Sequence, residues 1–441
     1  MVCPESRMGV IFMPVKKGIR LRLYPNTEQS ILLNKTLGCC RFLYNKMLEE
    51  HITVYAQLKD DNDALYNHKY KTEKQYKLEY PFLKEVDAKA LQTANRQLFA
   101  AYQNFFEGLK TGREVGFPRF KSKKRYPQTY TTYNINNSIR IDPQRRKIRI
   151  PKVGWVKYSD NRTISDPIKH ITLSKTAPHK YFVAVTVVSE VEIPPKKAVL
   201  HSKDVAGFDM SATHFLIGEH TQYENPRFYR DEEKRLKKRH RELSRKEKGS
   251  KNREKARLKL GQVYEKINKR KRDWLHKVTH DLSERYDAVI LENLNIKGMQ
   301  QFNSGLSKSI TLDFSWYQFR AYLGYKMDWK GKYFVLIDRF FPSSKLCSVC
   351  SQINNDLKLS DRAWTCKLCG TTHHRDKNAV VNIKGEGIRI LQEEIGIVVI
   401  STTHHDTSTV GTTGSHASGE NVRPPLPILG QFSRKEESTS L

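Results

Sequence analysis

Two alternating patterns in the first half of the chain predict β-strands. Residues 17–25 (KGIRLRLYP) alternate apolar with basic side chains and stop at a proline, which indicates a strand with one cationic, solvent-facing side. Between residues 134 and 190, short alternating runs are separated by turn residues. We predict that these runs form a small antiparallel barrel or meander, and that the strand at residues 17–25 joins the same sheet.

The segment between these predicted strands has apolar residues at helical spacing. Apolar side chains recur every three or four positions over residues 27–51, with Thr27 as the predicted cap, and again over residues 87–109. The inward positions are Ile31, Leu32, Cys39, Phe42, Leu43 and Met47 in the first run and Ala88, Leu91, Ala94, Leu98, Ala101 and Phe105 in the second. The segment is therefore predicted to be a helical unit inserted into the sheet.

The second half alternates apolar strands with helices, which is typical of an α/β domain. Strand-like apolar runs occur at residues 205–218, 286–292 and 332–342. Residues 227–277 have the apolar spacing of two long helices around a break at residues 248–252. We predict that these strands and helices belong to one α/β domain.

The charge of the chain favours an extended polyanion as its partner. The formal net charge is +31 and the pI is about 9.7. Residues 227–277 alone carry 22 Lys and Arg against 8 Asp and Glu, which predicts a surface that follows phosphates rather than a merely solvated face. No apolar run approaches the roughly eighteen residues of a spanning helix, so we expect no membrane partner.

The use of cysteine indicates a reducing compartment. The seven cysteines are vicinal Cys39 and Cys40, Cys3, and a cluster of four, and the N-terminus lacks the apolar region of a secretory signal. We expect a cytoplasmic protein.

Four cysteines have the spacing of a zinc ribbon. Cys347 and Cys350 form one CxxC, Cys366 and Cys369 form another, and fifteen residues separate the two pairs. Four thiolates close a tetrahedral shell and leave no position for a substrate, which predicts one structural zinc ion. A redox CxxC or scattered core cysteines are the alternatives.

Three acids stand on otherwise apolar elements. Asp209 lies within a predicted apolar strand, Glu292 ends a predicted buried strand, and Asp376 starts a predicted helix. A carboxylate among apolar residues is costly unless something ligates it, and three such groups can hold two magnesium ions for an in-line phosphodiester displacement. The alternative is that each acid is a helix cap or a surface residue.

Five motifs in this order resemble those of the TnpB (OrfB) proteins of bacterial insertion sequences, relatives of the type V CRISPR effectors: GFDMSATHF, VILENLNIKGM, RFFPSSKLCSVC, LSDRAWTCKLCG and HHRDKNAVVNI. The resemblance covers residues 17–391. It implies an RNA-guided DNA endonuclease in which Asp209, Glu292 and Asp376 are the catalytic, metal-binding carboxylates. Ser211 departs from the glycine usual in the family, and we expect this side chain to lower activity without abolishing it.

The resemblance also implies a multidomain α/β architecture. In this architecture, a wedge β-barrel with an inserted helical recognition lobe comes first. An RNase H-like (RuvC) nuclease with an inserted four-cysteine zinc ribbon follows it. The expected boundaries are a disordered leader over residues 1–15, the barrel at 16–26 and 116–192, the lobe at 27–115, the nuclease at 193–340 and 373–396, the ribbon at 341–372 and a disordered tail over 397–441.

The implied partners are a guide RNA and double-stranded target DNA next to a short duplex motif, with magnesium and one structural zinc as the metals. We expect a monomer in the bacterial cytoplasm. Two alternatives remain open: an RNA-guided DNA-binding regulator with weak nuclease activity, and a transposase or accessory protein of DNA transposition.

Overall fold

The computed structural model describes residues 11–113, 115–123, 128–160, 162–176, 180–211, 214–295, 298, 315–358 and 360–401. Most of the predicted tail, residues 402–441, and most of the predicted leader, residues 1–10, lie outside the described residues. In the part that is described, no helix is long and apolar enough to cross a membrane.

A seven-stranded antiparallel sheet occupies the first half of the chain, with the order β2-β6-β7-β1-β5-β4-β3. Its strands are β1 (Ile11–Tyr24), β2 (Gln128–Tyr133), β3 (Arg140–Asp142), β4 (Lys147–Ile150), β5 (Gly154–Ser159), β6 (Ile168–Lys175) and β7 (Tyr181–Ile193). Alternate residues Val183, Val185 and Val187 of β7 are fully buried, as a strand with one wet face requires. The strand predicted at residues 17–25 therefore lies near the middle of the sheet, between β7 and β5.

The boundary expected for the leader is wrong by five residues. Residues 11–15 belong to β1, and Ile11 pairs with Ile193 while Val15 pairs with Ser189. The cause is the length of β7, whose thirteen residues offer backbone partners well beyond residue 17.

Four helices lie between β1 and β2: α1 (Thr27–Leu58), α2 (Asn62–Asn67), α3 (Glu73–Glu79) and α4 (Ala88–Lys110), with a 3₁₀ turn at Pro81–Glu85. The cap of α1 is Asn26 rather than the predicted Thr27, because the Asn26 side chain accepts a hydrogen bond from the Gln29 backbone at 2.8 Å. Leu33, Leu91 and Leu98 share one apolar core with Leu21 and Val185 of the sheet. The helices thus form one body with the sheet.

The second half contains a five-stranded mixed sheet with the order β11-β10-β9-β12-β13. Its strands are β9 (Val205–Asp209), β10 (His214–Gly218), β11 (Gln222–Glu224), β12 (Ala288–Glu292) and β13 (Tyr333–Ile337), preceded by the short β8 (Val199–His201). The central β12 runs parallel to both neighbours, and its residues from Ala288 to Leu291 are fully buried. The predicted α/β sheet is present.

Helices cover both faces of this sheet. The helices of this half are α5 (Phe228–Ser244), α6 (Lys251–Arg285), α7 (Trp316–Trp329) and α8 (Arg375–Arg389), of which α6, α7 and α8 pack against the sheet. Leu275 of α6 and Phe319 of α7 pack with Leu291 on one face, whereas Ile383 of α8 packs with Ile290 on the other. α5 and α6 are the two predicted basic helices, joined by their own seam of Leu236, Leu260, Val263 and Ile267.

Two small strand pairs complete the fold. β14 (Ala363–Thr365) and β15 (Thr372–His374) form a hairpin between β13 and α8, and β15 extends two residues beyond the predicted end of the ribbon at residue 372. β16 (Val398–Ile400) pairs in parallel with β8, so the disordered tail expected from residue 397 does not begin there. Backbone pairing with β8 holds these residues.

Two glycines let α8 approach the sheet closely. A Cβ on Gly207 of β9 would lie 2.7 Å from the backbone nitrogen of Lys384, and a Cβ on Gly387 would lie 2.2 Å from Ile290 Cδ1. At Gly207 the strand meets the backbone of α8 directly, and at Gly387 the backbone of α8 rests on the Ile290 side chain, so the two glycines set the height of α8 above β9 and β12.

Gly387→Ala and Gly385→Ala are expected to change stability in opposite directions. Because the new methyl of Gly387→Ala meets a buried isoleucine, the free energy of unfolding should fall by about 1–3 kcal/mol. A Cβ on Gly385, two residues away in the same helix, would meet no atom within 4 Å, so Gly385→Ala should raise it by about 0.5–1 kcal/mol. Chemical denaturation of the two variants measures the difference, and equal effects would contradict the close packing.

Candidate active site

Two of the predicted acids lie at the same edge of the five-stranded sheet. Asp209 is the last residue of β9 and Glu292 is the last residue of β12. The two strands are parallel, with Leu291 paired to Phe208, so both strands end at one edge and their terminal carboxylates are neighbours there. The carboxyl edge of parallel strands is where α/β sheets bind their ligands.

The third acid comes from the helix above this edge. Asp376 lies buried in the first turn of α8, the helix held against β9 and β12 by Gly207 and Gly387. Burial raises the pKa of Asp209 to about 7, and the carboxylates of Glu292 and Asp376 contribute to this rise. The structure therefore brings together three acids that are far apart in the sequence.

This crowding of carboxylates fits a divalent cation. Like charges in one buried place favour protonation of one member unless a cation neutralises them, and hard carboxylate oxygens are the ligands of magnesium. Within the described residues, the ligand atoms of the four-cysteine cluster all lie within 4.8 Å of one another. The oxygen atoms of the three carboxylates are spaced more widely than this.

A serine and an asparagine hold Glu292. The Ser343 hydroxyl donates a hydrogen bond to the Glu292 carboxylate, and the backbone oxygen of Ser343 accepts one from Asn382 Nδ2 at 2.8 Å. Burial raises the pKa of Glu292, and the Ser343 hydrogen bond opposes this shift. Asn382 belongs to α8, so the helix that carries Asp376 also fixes the orientation of the second acid.

Two arginines contact Asp376. Arg362 Nη1 lies 3.5 Å from Asp376 Oδ2, and Arg375 Nε lies 3.9 Å from Asp376 Oδ1. Arg375 also lowers the pKa of Asp209, against the larger effects of burial and the other acids. Sequence reasoning missed both residues. Arg375 could have been found from its place beside the third acid, but nothing in the spacing of the ribbon shows that Arg362 folds back to the site.

The four predicted zinc ligands converge. Cys347 Sγ lies 3.6 Å from Cys369 Sγ, and Cys350 Sγ lies 3.5 Å from Cys366 Sγ. These distances are far longer than a disulfide bond and close to the roughly 3.8 Å between sulfurs around a tetrahedral zinc with Zn–S near 2.3 Å. Hydrogen bonds with the Thr371 hydroxyl, which lies 3.3 Å from Cys369 Sγ, and with the Thr371 backbone are the main causes that lower the pKa of this thiol to about 6 and favour the thiolate, against the opposing effect of burial.

The zinc cluster is attached directly to α8. Asn378 Nδ2 and Asn382 Nδ2 both donate to the backbone oxygen of Leu346, at 2.7 and 2.6 Å. The Ser348 backbone nitrogen donates to Asn378 Oδ1 at 3.0 Å. The first cysteine knuckle is thus fixed to the same helix face that supports the acids.

Ser343→Ala is expected to weaken divalent metal binding by about 10–100-fold, because Glu292 loses the hydrogen bond that orients it as a ligand. Isothermal titration with Mg²⁺ or Mn²⁺ measures the change. Ser344→Ala is the matched control, since Ser344 makes no hydrogen bond to an acid of the site in the described part of the chain. Equal metal affinity in both variants would show that Ser343 does not orient the ligand.

Parts of the chain match three known family models. Residues 188–303 match a family model described as "Probable transposase" (OrfB_IS605), residues 316–383 match a "Cas12f1-like, TNB domain" model, and residues 13–60 match a "Helix-turn-helix domain" model. In the structure, the last of these ranges contains most of β1 and one continuous helix, α1.

Two relatives match most of this chain. A "Putative RNA-guided DNA endonuclease" of Streptomyces pristinaespiralis is 32% identical over 374 residues, which is 85% of this chain and 90% of the relative. The "Putative RNA-guided DNA endonuclease InsQ" of Escherichia coli is 28% identical, over 85% of this chain and 93% of the relative. A solved Cas12f1–sgRNA–target DNA complex aligns with a TM-score of 0.41 at 13% identity, over 84% of this chain and 99% of that chain. On the identity and coverage of its relatives, the chain belongs to the TnpB (OrfB) family.

Proposed function

We propose that this protein is an RNA-guided DNA endonuclease of an insertion sequence. The observation that carries the proposal is the assembly of Asp209, Glu292 and Asp376 at one sheet edge. Each carboxylate adds negative charge there, and a bound cation would neutralise that charge. The relatives' names support the same function, since both describe RNA-guided DNA endonucleases.

The three carboxylates are proposed to hold two magnesium ions. When bound, the ions supply an activated water and stabilise the leaving oxygen of the phosphodiester. Ser343 keeps Glu292 oriented for this task, and α8 sets the position of Asp376. The Arg362 side chain, which is more than half exposed, is placed to exchange its contact with Asp376 for the phosphate of a DNA strand.

The basic helix α5 is proposed to hold the backbone of the guide RNA. Its cations fall into two sets. Arg235, Lys237 and Arg239 pair with acids of the same helix, whereas Lys234, Lys238, Arg241 and Arg245 are exposed and have no ion pair within 4 Å in the described residues. The unpaired four recur every three or four residues, so they form one stripe on the face opposite the apolar seam.

The remaining parts of the architecture are proposed by analogy with the family. We propose that the seven-stranded sheet is the wedge barrel, that α1–α4 form the recognition lobe, and that guide pairing reads the target sequence beside a short duplex motif read by the protein. The chain is proposed to act as a monomer in the bacterial cytoplasm. The effect of Ser211 on the metals stays a prediction.

Cleavage by the purified ribonucleoprotein tests the function. With the RNA it retains, a plasmid library carrying the matching target and Mg²⁺, the protein should produce double-strand breaks beside one short motif. Asp209→Asn should remove cleavage and keep RNA binding, because the substitution removes a metal ligand without changing its size. Absence of cutting with a matched guide and Mg²⁺ would overturn the proposal.

The same experiment separates the alternatives. An RNA-guided regulator would bind the matched target and leave it intact, and a transposase would join transposon ends without RNA. All three acids are in place, which favours cleavage over regulation.

Replacing the stripe of α5 should reduce the salt dependence of RNA binding. Each cation that contacts a single-strand phosphate contributes about 0.7 to the slope of log affinity against log salt, so Lys234→Gln, Lys238→Gln, Arg241→Gln and Arg245→Gln together should lower the slope by up to about 3. The control combines Arg235→Gln, Lys237→Gln and Arg239→Gln, whose cations are already paired. If the slope fell more in the control variant than in the stripe variant, the proposal that the stripe binds RNA phosphates would be contradicted.

A further inference from the structure

A buried histidine lies against the zinc cluster. His373 is 7% exposed, and its Nε2 lies 3.0 Å from Cys347 Sγ. Cys347 is itself fully buried, whereas Cys369 is exposed. His373 is therefore a polar group that faces the cysteine with the least access to water.

His373 is not placed as a ligand. The group of four cysteines has all of its ligand atoms within 4.8 Å of one another, and His373 does not belong to that group within the described residues. Its nitrogen thus lies outside the sulfur tetrahedron, beside a single corner. A neutral histidine in this position can donate its Nε2–H to a thiolate.

The charge of the site explains why a donor is needed there. Four thiolates around one zinc ion leave a net charge of about −2. Solvent reaches Cys369, but a charge on buried Cys347 must be stabilised by hydrogen bonds inside the protein. An N–H directed at the sulfur supplies this stabilisation at the corner where water cannot.

The ring of His373 is held in place by its strand. His373 in β15 pairs with Trp364 in β14, and the two rings lie 4.8 Å apart at 41°. α8 begins directly after β15, and its first turn contains Asp376. A bond from Cys347 to His373 therefore connects the first cysteine knuckle with the segment that leads to the third acid.

We propose that His373 is a positioning residue of the zinc site, which donates a hydrogen bond to the Cys347 thiolate and joins the metal-loaded ribbon to the start of α8. This role concerns zinc binding, and its tests do not depend on RNA-guided cleavage. Outer-sphere partners of metal ligands typically contribute about 10–100-fold to metal affinity.

Three variants of the full-length protein test the proposal. His373→Ala should weaken zinc binding about 10–100-fold in competition with a chromophoric chelator. His373→Gln should recover most of the affinity, since its side-chain amide can place an N–H near the same point. His374→Ala is the matched control, because this neighbouring histidine is exposed and should leave the affinity unchanged.

Cobalt substitution and hydrogen exchange distinguish positioning from ligation. The absorption spectrum of Co²⁺-loaded His373→Ala should remain that of a four-thiolate site, while amide exchange over residues 374–380 should become faster than in the zinc-loaded parent protein. The proposal would be overturned if the cobalt spectrum of the parent protein showed nitrogen ligation and the spectrum of His373→Ala did not. Unchanged zinc affinity in a folded His373→Ala variant, or equal loss in His373→Gln, would overturn it as well.

Discussion

Electrostatic repulsion between three carboxylates is the constraint on which the second half of this structure depends. Asp209 and Glu292 end neighbouring parallel strands, and Asp376 faces them from α8. Folding must crowd these groups in one place, and burial then raises the pKa of Asp209 to about 7. The surrounding contacts hold the acids together in spite of this repulsion.

The contacts that hold α8 and the ribbon beside the acids involve backbone atoms as well as side chains. Gly207 and Gly387 remove the atoms that would lift α8 from the sheet, and Asn378 and Asn382 bind the ribbon's first knuckle to the same helix. Ser343 then extends the connection to Glu292. The zinc ribbon, although inserted between the second and third acids, is consequently part of the support of the acidic centre rather than an appended module.

Much of this organisation could be predicted from the sequence. Period-two and helical patterns located the strands and helices, because burial of one face dictates both periods, and two CxxC pairs located the four-cysteine cluster. The acids were found because a carboxylate in an apolar strand is unusual. Contacts such as Arg362 with Asp376 could not be predicted, since they depend on how the ribbon folds back and have no local sequence signal. The extent of β1 was underestimated for a related reason: strand length is decided by the partner strand, here β7.

The order of the elements along the chain has a consequence for biosynthesis. α8 is the last element needed for the centre, yet its partner β9 is made much earlier, with α5, α6, α7 and the ribbon in between. During translation the first two acids leave the ribosome as an incomplete pair, and docking of a late helix onto an early strand is a non-local step that slows folding. A nascent chain therefore has no complete acidic centre until α8 has emerged, after the basic helices α5 and α6 have been synthesised.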